Sequence, residues 1–318
     1  MASYAADLGD VRDAAVRITG LAHRTPVVTC ATLDRLAGRS LFFKCEHLQK
    51  AGAFKFRGAC NAVMKLAPQT AACGVVTHSS GNHAGALALA ARLRGIPAHV
   101  VMPRNASPVK RRAVEEYGGR VVECEPTLAA REATAAAVLA ETGGTLIPPY
   151  NHRDVIAGQG TAALELLEQV TGLDAIVAPV GGGGLIAGMA IAAAGVAPRV
   201  RVFAAEPAGA DDAARSKSAG TLLPQTGPRT IADGLLTSLG ELTWPLLRDR
   251  IEQVITVTEE EIIRAMRLAW ERAKLLIEPS SAVAVAAVLS PTFRPLEGAR
   301  RIGVLLSGGN VNLDSLPW

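Results

Sequence analysis

Aromatic residues are scarce in this chain, 4% of 318. Base-stacking surfaces need them, so their scarcity argues against nucleic-acid binding. Charge of one sign is lacking as well: 33 Lys and Arg against 29 Asp and Glu leave a net charge of +4. The one notable basic cluster, Lys110-Arg111-Arg112, is followed by Glu115-Glu116 and reads as a solvated helix face. The five cysteines (Cys30, Cys45, Cys60, Cys73, Cys124) include no CxxC pair. They read as reduced thiols of a cytoplasmic protein, not as a disulfide framework. The N-terminus lacks a basic stretch followed by an apolar one, so no signal peptide is expected. No apolar run of about 18 residues is free of polar breaks, so no membrane span is expected. Solenoid repeats and low-complexity linkers are also missing.

What remains is an ordinary globular composition, 49% hydrophobic and rich in Ala and Gly, long enough for a large core in two lobes. Short β-branched runs predict strands at Leu41–Cys45, Gly74–Thr77, Ala98–Met102, Arg120–Cys124, Ala175–Ala178, Val200–Ala204, Val254–Val257 and Arg301–Leu306. Between them, helices are expected at Gly58–Leu66, Asn82–Arg94, Val109–Tyr117, Ala129–Thr142, Gly158–Val170, Leu185–Ala194, Glu259–Lys274 and Ser281–Leu289. Such alternation implies an α/β protein with mostly parallel sheets covered by helices. Residues 74–147 are expected to form a smaller lobe, and 1–67 with 152–318 a larger one. Ligands of such folds sit in the cleft at the C-terminal ends of strands.

Lys55 lies between Phe54 and Phe56, in a Gly-bearing turn that opens a helix. An amine held against apolar rings is poorly solvated as a cation, so its pKa falls and it gains the nucleophilicity that Schiff-base chemistry requires. A surface lysine whose stem covers apolar neighbours is the alternative. Gly181-Gly182-Gly183-Gly184 joins a strand to a helix and offers bare backbone N–H groups, which suits a phosphate. Gly182, Gly184 and Ala187, with Glu206 about 20 residues on, also satisfy a dinucleotide-binding spacing, so an NAD-dependent dehydrogenase stands as a rival. Thr77-His78-Ser79-Ser80-Gly81-Asn82-His83 packs hydroxyls, an amide and imidazoles into a strand-to-helix turn that suits a carboxylate, against simple capping by Ser80 or Asn82. Ser307 ends the last apolar strand. Glu206 and Asp212 flank a short turn that reads better as a solvated acidic loop than as a hard-cation site.

Taken together and in order, these motifs resemble the fold-type II pyridoxal-phosphate (PLP) enzymes, which are tryptophan synthase β-like. Within them the chain is similar to the serine racemase and serine/threonine dehydratase group. The resemblance is carried by Ala53-Phe54-Lys55-Phe56-Arg57-Gly58, Ser79-Ser80-Gly81-Asn82-His83, Gly181–Gly184, Ala205-Glu206-Pro207, Ile231-Ala232-Asp233-Gly234, Ile277-Glu278-Pro279 and Ser307-Gly308-Gly309-Asn310. It implies that Lys55 forms the Schiff base with the cofactor, Phe54 packs on the pyridine ring, Asn82 binds its 3′-oxygen, Gly181–Gly184 cradle its phosphate and Ser307 faces its nitrogen. It further implies that Ser79, Asn82, His83 and Arg131 hold the substrate, and that Ser80 and Lys55 work on opposite faces of Cα. Glu206, Asp212 and the Ala210 carbonyl match a site for magnesium, calcium or manganese. A homodimer acting on small hydroxy amino acids is implied, with racemisation of serine and dehydration of serine or threonine to a 2-oxo acid and ammonia. A threo-3-hydroxyaspartate ammonia-lyase is the alternative within the group. Gly85 stands where animal racemases carry a glutamine near their nucleotide site, while Tyr117 matches that site, so ATP activation is left open. Thr237 replaces a serine near the substrate in the animal enzymes.

Overall fold

The β-branched runs of the chain become two sheets, and the Ala-rich stretches become the helices that cover them. The structure, a computed structural model, describes residues 4–106, 108–293 and 298–318. In chain order its helices are α1 (Leu8–Ile18), α2 (Ala31–Ala37), α3 (Lys55–Lys65), α4 (Pro68–Ala72), α5 (Asn82–Arg94), α6 (Pro108–Glu116), α7 (Leu128–Thr142), α8 (Arg153–Gln169), α9 (Gly184–Val196), α10 (Asp212–Ala219), α11 (Trp244–Arg250), α12 (Glu259–Leu268) and α13 (Pro279–Leu289). The strands are β1 (Val27–Val28), β2 (Ser40–Lys44), β3 (Val75–His78), β4 (Ala98–Pro103), β5 (Arg120–Cys124), β6 (Thr145–Leu146), β7 (Ala175–Pro179), β8 (Arg201–Pro207), β9 (Val254–Val257) and β10 (Arg301–Leu305).

A six-stranded sheet runs β1-β2-β10-β7-β8-β9, and a four-stranded sheet runs β5-β4-β3-β6. Every pairing is parallel except β1 with β2. Parallel order needs a crossover between neighbouring strands, which is why helices and strands alternate. Strand β7 is buried along its whole length, as a strand covered on both faces must be. The expected α/β class and covered parallel sheets are thus observed. The functional motifs follow the C-terminal ends of parallel strands: Ser79–Asn82 after β3, Gly181–Gly184 after β7 and Ser307 after β10.

A buried ion cluster fixes the helix that begins at Lys55. Arg57, fully buried, donates from Nε and Nη2 to Glu46 at 2.7 and 2.8 Å, and from Nη1 and Nη2 to Glu165 at 2.7 and 2.8 Å. Lys44 Nζ donates to Glu165 at 2.6 Å. Two cations and two carboxylates balance, which is how buried charge becomes tolerable. The cluster ties α3 to α8 and to the turn after β2.

Several elements differ from the sequence expectation. Helix α3 starts at Lys55, not Gly58, and α8 starts at Arg153, capped by the His152 side chain, not at Gly158. Helices α1, α2, α4, α10 and α11 and the two-residue strands were not expected. The long helix expected over Glu259–Lys274 stops at Leu268. One π-helical turn, Ala269–Ala273, follows, and Lys274 ends it at φ 60°. Trp270 Nε1 donates to the Ile277 carbonyl at 3.0 Å, a local contact that accompanies the break.

Candidate active site

Lys55 is the first residue of α3, and its Nζ donates to the Pro149 carbonyl at 2.8 Å. The ammonium also lies 5.0 Å from the centre of the Phe54 ring. Part of the residue stays open to the cleft, while protein surrounds the amine. Burial pulls its pKa down to about 8, partly opposed by the negative charge of Glu278. With a pKa near 8 the amine is about one-tenth free base at pH 7, far more than an ordinary lysine, as a Schiff-base nucleophile needs.

The Lys55 turn is pinned to two other motifs. The Phe54 amide donates to the Ser307 carbonyl at 3.0 Å, and Ala53 pairs with Gly308 in an antiparallel bridge. A Cβ on Gly308 would lie 2.5 Å from Glu278 Oε1 and 3.0 Å from Asn82 Nδ2, so only glycine admits this approach. Asn82 Nδ2 donates to Glu278 Oε1 at 2.8 Å, and Asn310 Nδ2 donates to Asn82 Oδ1 at 3.0 Å. Glu278 is buried, and this, with nearby Asp233, pushes its pKa up to about 8 against the Asn82 hydrogen bond. The Lys55 turn, Asn82 and the Ser307 turn, distant in sequence, thus share one hydrogen-bonded cluster.

The glycine loop forms a second wall. Among the described residues, the backbone N–H groups from Gly181 to Ile186 donate to no protein acceptor. They cluster at the N-terminus of α9, where the helix dipole favours an anion. A Cβ at Gly182 would meet the Tyr150 ring at 2.3 Å, and one at Gly183, whose φ is +85°, would meet Thr243 Oγ1 at 2.6 Å. Thr243 Oγ1 in turn donates to the Gly182 carbonyl at 2.9 Å. These contacts hold a donor-lined concavity that fits a phosphate.

The Ser79–Asn82 loop resolves the capping alternative. Gly81 is the N-cap of α5 and no side chain caps that helix. Ser79 Oγ accepts only a long 3.4 Å bond from Gly81, and the Ser80 hydroxyl has no hydrogen-bond partner among the described residues. His83 is buried, with Nε2 2.9 Å from the Ile147 carbonyl, so Nε2 carries the proton. Burial chiefly, and the charge of Lys55, pull its pKa down to about 3, and Nδ1 is left without a partner. The neutral ring offers a lone pair, not a donor, so His83 can serve a carboxylate only through its backbone N–H.

A model of the pyridoxal-phosphate dependent enzymes matches residues 18–308. The chain belongs to this family. It is 55% identical to a serine racemase of Arabidopsis thaliana over 98% of this chain and 96% of that one. It is 51% identical to a beta-hydroxyaspartate dehydratase of Paracoccus denitrificans, over 97% of this chain and 98% of the relative. Among solved structures, maize serine racemase superposes with a TM-score of 0.97 at 49% identity, covering 98% of this chain and 95% of that one. The expected fold-type II PLP enzyme of the racemase and ammonia-lyase group is borne out. Family membership also removes the dinucleotide reading. Glu206, the expected ribose ligand, is buried, and its carboxylate accepts the Ala214 and Ala213 amides at 2.6 and 3.2 Å.

Other expected site residues lie outside this cluster. Glu206 and Asp212 are both buried, and Asp212 accepts the Leu239 amide at 2.9 Å. Burial, with added repulsion from neighbouring carboxylates, pushes Glu206 up to about 8 and raises Asp212 as well. Neither forms an ion pair among the described residues, where no group of three or more His, Cys, Asp and Glu side chains gathers. Arg131 sits on α7 with Nε buried and unpartnered, and its charge, with burial, acts on His78. A pocket of about 200 Å³ opens between Asn82, Gly85, Lys110, Tyr117 and Asn312, so Gly85 and Tyr117 do meet. No helix among the described residues is long and apolar enough to cross a membrane. Sequence reading missed Pro149, Tyr150, Thr243 and the role of Glu278; only the acid beside the Pro279 helix start was a visible signal.

Proposed function

We propose that this protein is a PLP-dependent serine racemase that also dehydrates L-serine and L-threonine to a 2-oxo acid and ammonia. One observation supports it most: Lys55, a buried amine of lowered basicity, feels the charge of Glu278, which Asn82 hydrogen-bonds, and Ser80, two residues before Asn82, has a hydroxyl without a hydrogen-bond partner among the described residues. Bound at Lys55, with its phosphate on Gly181–Gly184, the cofactor supplies a sink for the electrons left when Cα loses its proton. Phe54 would pack on its ring, Asn82 would hold its 3′-oxygen and Ser307 would face its nitrogen. The protein's own part is to hold the substrate carboxylate on Ser79, Asn82, the His83 backbone and Arg131, and to move protons. Lys55 serves one face of Cα and Ser80 the other; inversion needs both, elimination only one.

A divalent cation between Glu206, Asp212 and the Ala210 carbonyl belongs to the same reading, because two buried carboxylates that form no direct ion pair among the described residues, with only Arg215 acting on them from a distance, favour one. The protein works as a cytoplasmic homodimer, and residues 74–147 move against 1–67 with 152–318 to bring Arg131 to the cleft. ATP is not part of the reading, since Gly85 offers no side chain to a nucleotide. A second reading, threo-3-hydroxyaspartate ammonia-lyase, draws on the unpaired Arg131 beside His78, which suits a second carboxylate. The test is to incubate the holoenzyme with L-serine, D-serine, L-threonine and threo-3-hydroxyaspartate while assaying chirality and 2-oxo acid together. Interconversion of the serine enantiomers supports the first reading. Turnover of hydroxyaspartate alone supports the second.

A further inference from the structure

Thr243 is the N-cap residue of α11, yet its side chain caps nothing in that helix. A threonine at this position ordinarily accepts a hydrogen bond from its own first turn. Here the hydroxyl, fully buried, turns the other way, to the glycine loop. Its Oγ1 accepts the Gly240 amide at 3.0 Å and lies within donating distance of two carbonyls, Gly182 at 2.9 Å and Gly240 at 3.0 Å. A hydroxyl has one proton to give. The Gly240 carbonyl already accepts the amides of Thr243 and Trp244 at 3.1 and 2.9 Å. Among the described residues, the Gly182 carbonyl otherwise has only the Gly240 amide, at 3.3 Å. The proton therefore goes to Gly182. The turn that presents it is itself anchored, since Asn151 Oδ1 accepts the Leu242 amide at 2.8 Å.

The direction of that carbonyl decides what the next amide can do. The Gly182–Gly183 peptide is trans, so its C=O and N–H point to opposite sides. With the Gly182 oxygen drawn toward Thr243, the Gly183 N–H is turned away from that buried hydroxyl, and no protein acceptor takes it. Glycine on both sides of a peptide makes rotation of its plane cheap, and Gly183 already sits at φ +85°. Flipped, the same peptide would present a carbonyl oxygen, not a donor, to an anion. Resting on the reading of Gly181–Gly184 as the phosphate cradle, we infer that Thr243 is a positioning residue whose hydroxyl locks the Gly182–Gly183 peptide in the orientation that offers the Gly183 N–H to the phosphate. It acts through this peptide and not by contact with the cofactor. Its Oγ1 lies 2.6 Å from where a Cβ on Gly183 would be, so the lock and the loop are in direct contact.

Thr243→Val tests this, because it keeps the shape of the side chain and removes the proton it donates. Cofactor-free protein is titrated with PLP and, separately, with pyridoxal, both followed by fluorescence, and thermal melts compare the folding of each variant. PLP affinity is expected to fall about 10- to 100-fold in Thr243→Val, with pyridoxal affinity within about threefold of the parent. Thr243→Ser, which restores the proton, is expected to bind PLP within about threefold of the parent. Should the valine variant not fold, Thr243→Ala set against Thr243→Ser makes the same comparison. An unchanged PLP affinity in the variant without a hydroxyl overturns the inference. So does a weakening of PLP and pyridoxal by the same factor, which marks a merely structural role. A serine variant as weak as the valine one assigns the effect to packing of the methyl group and overturns it too. A parent that binds PLP no more tightly than pyridoxal overturns the cradle reading itself and not merely the role of Thr243.

Discussion

Removing divalent cations should make this protein lose stability as pH rises, the reverse of common acid denaturation. The reasoning starts at Glu206, whose carboxyl is pushed up to about 8 by burial and by Asp212. Unfolded, it titrates near 4.5. Between these values the folded, cation-free protein holds a proton that the unfolded chain has released. Because the folded state then binds more protons, stability falls as pH rises through this window, by about 1.4 kcal/mol per pH unit for one such group. Asp212 is shifted the same way and adds to the slope. A cation between the two favours both charged forms and removes the penalty. Thermal melts from pH 5 to pH 8 should therefore show a Tm that drops more steeply with pH in EDTA than in excess Mg²⁺ or Ca²⁺, since Glu278, also raised to about 8, contributes equally in both. The gap should widen steadily toward pH 8. A gap that is constant with pH, or no gap, would refute the proposal that these carboxylates share a cation. Glu206→Gln should flatten the EDTA curve and abolish the metal response.

Other outcomes follow from the cleft. Borohydride reduction of the holoenzyme followed by peptide mapping should place the cofactor on Lys55, and Lys55→Ala should lack the visible absorbance of the bound chromophore. A chromophore that survives in this variant contradicts the assignment. Gly182→Ala drives a Cβ into the Tyr150 ring at 2.3 Å, an overpacking worth about 1–3 kcal/mol. Its PLP affinity, read by fluorescence titration, should weaken roughly 10- to 100-fold, while pyridoxal without its phosphate should bind the variant and parent more nearly alike.

How far the sequence foretold this site depends on the kind of contact. Lys55 was legible because its neighbours in the chain, two phenylalanines and a glycine turn, themselves produce much of its apolar setting. The glycine loop was legible because successive bare amides at a helix start are a local property. The Pro149 carbonyl was not, since it lies 94 residues from Lys55 and any residue carries such an acceptor. Glu278 was visible only as part of the Ile277-Glu278-Pro279 motif, with no role attached; its burial against Asn82 arises from a partner 196 residues away. Helix α1 escaped notice although Asp7 and Asp10 form a capping box, because its apolar face is short and acquires meaning only against α8. The solvated-loop alternative for Glu206 failed for the same reason: the exposure of a loop is set by what packs over it, here α10.

The two-face division of labour between Lys55 and Ser80 is the centre of this account, and Ser80→Ala tests it most directly. Initial rates of D-serine and pyruvate formation from L-serine should be measured side by side on holoenzyme of matched cofactor content. The account predicts that racemisation falls at least about 100-fold while pyruvate formation stays within a few fold of the parent. Equal loss of both products, or racemisation that survives, would contradict it.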